Sequence, residues 1–219
     1  MTTAATSVAT AQPASPVTLE ADHDPALSRW LWLVKWLLAV PHYLILVFLF
    51  LAFAVVSVIA WFAILFTARY PRALFNFNLG VLRWSWRVTY YAYGTLGTDR
   101  YPPFTLGAAP DYPARLDIAY PERLSRGLIF VKSWLLALPQ WLIVSTLVGG
   151  TTTAGGLAGL LTLFAAVALL FTAHYPRGMF DLNVGAHRWA ARVTAYAALM
   201  TDSYPPFRLD QGEREPSLV

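Results

Sequence analysis

Two stretches of the chain are apolar almost without interruption, Trp30–Thr67 and Gly127–Thr172. Each far exceeds the roughly 20 residues that cross a bilayer as a helix. Each is followed by a segment with helical periodicity, "YPRALFNFNLGVLRWSWRVTYY" from Tyr70 and "YPRGMFDLNVGAHRWAARVTAY" from Tyr175. There apolar residues share one side with regularly spaced basic ones, which predicts an amphipathic helix. Pro71 prevents the apolar helix from running on, and Asn78 is the expected N-cap of the new one. Two short stretches alternate with period two, "VTLEA" (Val17–Ala21) and "RLDIAY" (Arg115–Tyr120), and predict small strands on the cytoplasmic face.

The pattern occurs twice because the chain is an internal duplication. "LSR" at Leu27 returns at Leu124, an offset of 97, and "LLAVPHYLI" (Leu37–Ile45) returns as "LLALPQWLI" (Leu135–Ile143), an offset of 98. Past the apolar run the offset is 105, and "TDRYPPF" (Thr98–Phe104) matches "TDSYPPF" (Thr201–Phe207) at 103. The second copy therefore gained seven residues inside its apolar run, around "GGTTTAGG" (Gly149–Gly156). Glycine-rich polar backbone inside lipid leaves hydrogen bonds unmade, whereas at the tip of a helical hairpin it costs little. The expectation is an all-α integral membrane protein of two tandem helical-hairpin repeats, about four transmembrane helices near 29–49, 52–68, 126–148 and 156–173, each hairpin followed by a cytoplasmic amphipathic helix. The first copy has no turn residue in "FLFLAFA", so a long interfacial helix plus one span stays open there. The chain divides into a disordered tail (1–14), repeat one (15–106), a linker (107–111), repeat two (112–209) and a second disordered tail (210–219).

Composition supports the membrane reading. Of the 219 residues 57% are hydrophobic and only 13% charged, with a net charge of +4; a soluble domain carries about 25% charged residues. The first 26 residues have no basic start and no apolar h-region, unlike a signal peptide. No Lys or Arg falls at either hairpin tip, so the positive-inside rule places both termini and both amphipathic helices in the cytoplasm of a multi-pass protein of the cell membrane. The copies are then parallel, related by a pseudo-two-fold along the membrane normal.

Chemistry is sparse. The chain has no cysteine, which excludes disulfides and thiolate metal sites, and four scattered histidines do not suggest a metal. No phosphate-binding loop, HExxH or GxSxG is present. Neither a catalytic residue, a cofactor nor a nucleic-acid partner is expected.

What the copies do share is a stripe on the amphipathic helix: Gly80, Arg83, Arg87 and Tyr91, repeated as Gly185, Arg188, Arg192 and Tyr196. The spacings of 3, 4 and 4 put all four on one face. Arginine forks suit phosphate and indole rings suit the interface, so Arg83, Trp84, Arg188 and Trp189 are candidates for binding anionic lipid headgroups or a partner. The same stripe suits an internal clamp, in which Arg87 with Tyr91 holds Asp99, and Arg192 with Tyr196 holds Asp202. Pro-Pro stiffens the D-x-YPPF strip that the clamp would seat. His42 matches Gln140 and is expected to make a helix-packing contact; Lys35 and Lys132 are expected to snorkel to the headgroups, and His174, in place of Arg69, to stay at the interface.

The YPR-x-x-F turn, the RW-x-x-RV helix and the D-x-YPPF close together resemble the bacterial membrane family of unknown function catalogued as domain of unknown function 4389, in two tandem copies. The resemblance implies a protein of the bacterial cytoplasmic membrane and brings no catalytic residues. The expected function is a non-enzymatic scaffold or accessory subunit, with membrane lipids, a membrane-protein partner or further copies of itself as partners. Its rival is a small transporter or channel acting as an oligomer.

Overall fold

The computed structural model describes residues 15–149 and 156–215. The first tail, the inserted segment of the second copy and the last four residues lie outside the described residues.

The first apolar run folds as one helix, α1 (Trp32–Thr67), 36 residues long. No residue between Leu49 and Ala52 favours a turn, and Pro41 is accommodated within the helix. The helix ends only where Ala68 turns left-handed (φ 55°) and its N–H donates to the Ile64 carbonyl. The hairpin expected in the first copy, with helices at 29–49 and 52–68, is not formed. After Pro71 the chain reverses into α2 (Arg72–Tyr91), which lies antiparallel along α1. Asn78 donates to Ser57 Oγ at 3.0 Å and Trp84 Nε1 to His42 Nδ1 at 3.0 Å, and Tyr91 lies beneath Lys35. Asn78 is therefore buried mid-helix and caps nothing; Pro71, with its ready-made φ of −59°, opens α2.

The second copy repeats this with two irregularities. Its long helix begins as α3 (Ile129–Gly149), with π-helical turns at Lys132–Leu136 and Ser145–Gly149. The first π turn explains the change of offset from 97 to 98. It takes up one extra residue, Ser133, so that Lys132 and Ala137 both stay buried like Lys35 and Ala39. The helix resumes as α4 (Gly156–Thr172). Gly149 and Gly156 both have positive φ, and a Cβ on Gly156 would sit 2.6 Å from the Gly149 nitrogen. The two ends of the insertion thus nearly touch. Instead of folding back along α3, α4 packs on the 145–149 turn and on α5 (Arg177–Ala197), the counterpart of α2. Among the described residues, the hairpin expected here is not formed either.

The two predicted strands form, β1 (Val17–Ala21) and β2 (Ala114–Ile118), and pair antiparallel with Leu19 opposite Leu116. Those two positions are equivalent in the duplication, at offset 97. A pseudo-two-fold axis therefore passes through the centre of the sheet, perpendicular to its strands. The copies are interlocked across it: α2 packs on β2 and α5 on β1. Neither repeat is a separate unit, because each supplies the strand that covers the other's helix.

Along the axis the molecule has three layers: the sheet, then α2 and α5, then the long helices. The long helices run antiparallel. Trp61 near the end of α1 donates to the Ile129 carbonyl at the start of α3, and Thr162 on α4 reaches the Gly94 carbonyl just past α2. One face of α1 (Lys35, Ala39, His42, Leu46, Ala60, Ile64) is buried inward. The opposite face is an apolar stripe from Leu33 through Leu44, Leu51 and Phe62 to Phe66, and the second copy exposes Trp134, Leu142, Leu160 and Phe171 in the same way. α1 and α3 are each long and apolar enough to cross a membrane by length and composition.

Candidate functional site

Three sets of repeated side chains hold the layers together. The deepest is aromatic and amide. Trp84 is buried and bonds His42, which stacks on Phe104 of the YPPF strip at 4.0 Å. In the second copy Trp189 donates to Gln140 Oε1 at 2.7 Å, and Gln140 Nε2 donates to the Pro205 carbonyl at 2.7 Å. His42 and Gln140 do make the packing contact expected of them. The two tryptophans face inward, so neither is the interfacial indole expected from their place beside the arginines.

The D-x-YPPF strip is clamped, but by other cations. Lys35 Nζ lies 2.8 Å from Asp99 and bonds the Thr98 carbonyl at 2.6 Å, while Lys132 Nζ lies 2.7 Å from Asp202. Each ammonium also sits over the stripe tyrosine, Lys35 over Tyr91 at 5.1 Å and Lys132 over Tyr196 at 4.9 Å. Asp99 and Asp202 then accept from the Ser28 and Ser125 N–H groups. Arg87 and Arg192 do not touch these aspartates. The lysines are buried, 1% exposed each, rather than snorkelling. An ammonium facing a carboxylate, a carbonyl and an aromatic face is better compensated there than at the end of an extended stem. The available signal was that both residues recur, Lys35 as Lys132 at offset 97 and Asp99 as Asp202 at offset 103.

The arginines belong to the third set, between the amphipathic helices and the sheet. In the register of β1 and β2, Leu19 and Leu116 turn their backbone groups out of the ladder. Arg83 Nε donates to the Leu116 carbonyl at 3.0 Å, and Arg188 Nε to the Leu19 carbonyl at 2.9 Å. Beyond this point the copies diverge. In the second, Glu215 bridges Arg188 (2.9 Å) and Arg192 and accepts from the Leu19 N–H at 3.4 Å, and Asp210 pairs with Arg192 at 2.6 Å. Both carboxylates come from the segment expected to be a disordered tail, which instead packs against α5 and β1 as far as residue 215. Burial lowers the Arg188 pKa, and Glu215 opposes that shift.

In the first copy Arg83 pairs with Asp117 at 2.9 Å, an aspartate whose side chain is 64% exposed. Arg87 donates to the carbonyls of Thr105 and Gly107 and has no carboxylate partner among the described residues. Burial pulls its pKa down, partly offset by Tyr112 and reinforced by Arg83. Beside this pair a groove of about 480 Å³ crosses the solvent face of the sheet. None of the four stripe arginines faces outward from the long helices, so their expected lipid role has no geometric basis.

Between α2 and α5, on the pseudo-two-fold, lies a smaller cavity of about 190 Å³ bounded by Phe50, Trp86, Val148 and His187. His187 is buried, with neither ring nitrogen bonded to a described residue, and burial holds its pKa down at about 4. Its counterpart is Leu82. No group of three His, Asp or Glu that suits a metal converges among the described residues.

These repeated contacts are the landmarks by which the chain can be compared with others. The family described as Domain of unknown function (DUF4389) matches it twice, over residues 29–105 and 130–208. The chain belongs to this family. The two matches are the two tandem copies, and each runs from the first turn region of a long helix to the end of the YPPF strip. Within a DUF4389 copy, then, lie the long helix, its lysine, the amphipathic helix and the strip; the strand that completes it lies outside the match. No curated protein and no solved structure matches the chain.

Proposed function

We propose that this DUF4389 protein is a non-enzymatic membrane scaffold or accessory subunit that lies in one leaflet, its long helices parallel to the bilayer plane and its sheet towards the cytoplasm. The observation that carries the reading is the level of the charged layer relative to the long helices. Helix α1, at 36 residues, is about 54 Å long, and its apolar stripe runs its whole length. Crossing a hydrocarbon core of about 30 Å would need a tilt of roughly 55°, beyond the range of about 0–40° seen for spanning helices. An upright α1 would also carry α2 into the bilayer beside it. Arg83 and the exposed Asp117 would then lie near mid-membrane, since Trp84 meets α1 at His42 and Asn78 meets it at Ser57. Laid flat, the same molecule buries only its apolar stripes and keeps its charges in water. The pseudo-two-fold then runs along the membrane normal.

In this orientation the groups that meet headgroups are those at the rim. Arg29, Arg69 and Arg72 are exposed near the ends of α1, and Arg126, His174 and Arg177 near the ends of α3 and α4. They replace the stripe arginines as the anionic-lipid contacts. The scaffold reading is tested by reconstitution: liposomes carrying the protein should show no ion or proton flux above empty ones. A flux abolished by His42→Gln would favour the transporter instead.

A further inference from the structure

The two copies bring the same arginine pair to the same sheet positions but unequal numbers of carboxylates. Arg188 and Arg192 are met by two, Asp210 and Glu215. Arg83 and Arg87 are met by one, Asp117. At the 103 offset the positions of Asp210 and Glu215 fall on Gly107 and Tyr112, neither of them acidic. The first copy is therefore one carboxylate short, and Arg87 is the cation left over.

The filled copy shows how the missing group would sit. Glu215 places one oxygen between Arg188 Nε and the Leu19 N–H and turns the other to Arg192. The matching donors of the first copy are Arg83, the Leu116 N–H and Arg87. Arg83 already holds the Leu116 carbonyl in the way that Arg188 holds that of Leu19. The outward-turned Leu116 N–H has no acceptor among the described residues. Arg83, Arg87 and Leu116 all line the groove of about 480 Å³, which has room for a small organic acid beyond its carboxylate. Three carboxylates share its wall, Asp117 beside Arg83, Glu20 paired with Arg115, and Glu215 paired with Arg188 and Arg192, which leaves Arg87 as the lining cation without one among the described residues. In the second copy the equivalent place is filled by the chain itself, with the Glu215 side chain 3% exposed.

We infer that the groove over Arg83 and Arg87 is a binding site for a small carboxylate-bearing molecule from the cytoplasm, whose carboxylate takes the place that Glu215 takes in the second copy. A planar two-oxygen anion matches two neighbouring guanidinium groups and one backbone N–H. Asp117 shares Arg83 with the ligand and so competes with it.

The test is calorimetric titration of the detergent-purified protein with succinate at constant ionic strength, with inorganic phosphate as a second probe. Wild type should bind succinate saturably at one site per chain. Arg83→Gln should weaken binding by about tenfold or more, the loss of one charge-assisted contact. Asp117→Asn should tighten it, and because Asp117 is largely exposed that variant leaves the fold intact. Glu215→Ala, which empties the place between Arg188 and Arg192, should raise the stoichiometry towards two. No saturable succinate binding by wild type, or binding indifferent to both Arg83→Gln and Asp117→Asn, would overturn the assignment. Binding of phosphate without succinate would overturn its carboxylate chemistry.

Discussion

Individual side chains in this protein are placed by what they can pair with inside it, and two of them give direct tests. Lys35 and Asp99 tie the start of α1 to the strip that follows α2. Removing one partner of a largely buried pair costs about 3 kcal/mol, and removing both costs little more than the worse single loss. Lys35→Met and Asp99→Asn should each lower the melting temperature in detergent clearly, and the double variant should be no worse. Arg87→Ala combined with Asp99→Asn should instead be additive, since the two do not touch. His187 gives a pH test. Its pKa is about 4 in the folded protein against about 6.5 when unfolded, so between those values the unfolded chain binds the extra proton. Stability is then complete above pH 6.5 and falls as the pH drops towards 4, by up to about 3 kcal/mol from this group. His187→Leu, which copies Leu82, should flatten the acid limb of a stability-versus-pH curve; an unchanged limb would show that another group carries it.

At the scale of elements, the duplication and the periodicities were legible in the sequence, and the turning points were not. Both strands and both amphipathic helices form, but α2 begins at Arg72, six residues before the expected Asn78 cap, and β2 runs Ala114–Ile118 instead of Arg115–Tyr120. The seven-residue insertion falls mostly on residues 150–155, outside the described residues. The elements on either side of it were misjudged: α4 packs on the 145–149 turn and on α5 instead of folding back along α3, and glycines in the sequence do not tell these two courses apart. The first copy carried the deciding fact, the absence of any turn residue in "FLFLAFA". The clamp illustrates a second limit: helical spacing put arginine and tyrosine on one face, but only the reversal of the chain brings Lys35 rather than Arg87 to Asp99. The acidic closure of the second arginine pair was hidden because Asp210 and Glu215 sit in a polar segment without periodicity. Deleting Gly149–Gly155 should make the second long helix continuous like α1. The melting temperature should stay within a few degrees of wild type, as circular dichroism would show. Loss of the folded protein would mean that the insertion forms a necessary turn.

For the whole molecule, the proposed function rests on orientation, and the proposed flat orientation keeps the cytoplasmic side that charge suggested while dispensing with the crossing. In a flat molecule all the basic residues share one side without any crossing, an arrangement the positive-inside rule cannot distinguish from paired spans. The rim arginines should then govern attachment. Replacing Arg29, Arg69 and Arg72 by Gln should weaken association with anionic vesicles by on the order of 1 kcal/mol per charge, an effect that salt should mimic. Substituting Arg188, which is buried, should disturb folding instead. The flat orientation itself is tested most directly by membrane depth. The native chain has no cysteine, so single spin labels at Leu33, Leu44, Leu51, Phe62 and Phe66, all exposed on α1, report without background. Oxygen and a water-soluble nickel chelate should give one shallow depth at all five. A depth that is greatest near Leu51 and returns to the opposite surface at Phe66 would contradict the flat helix and restore a transmembrane α1.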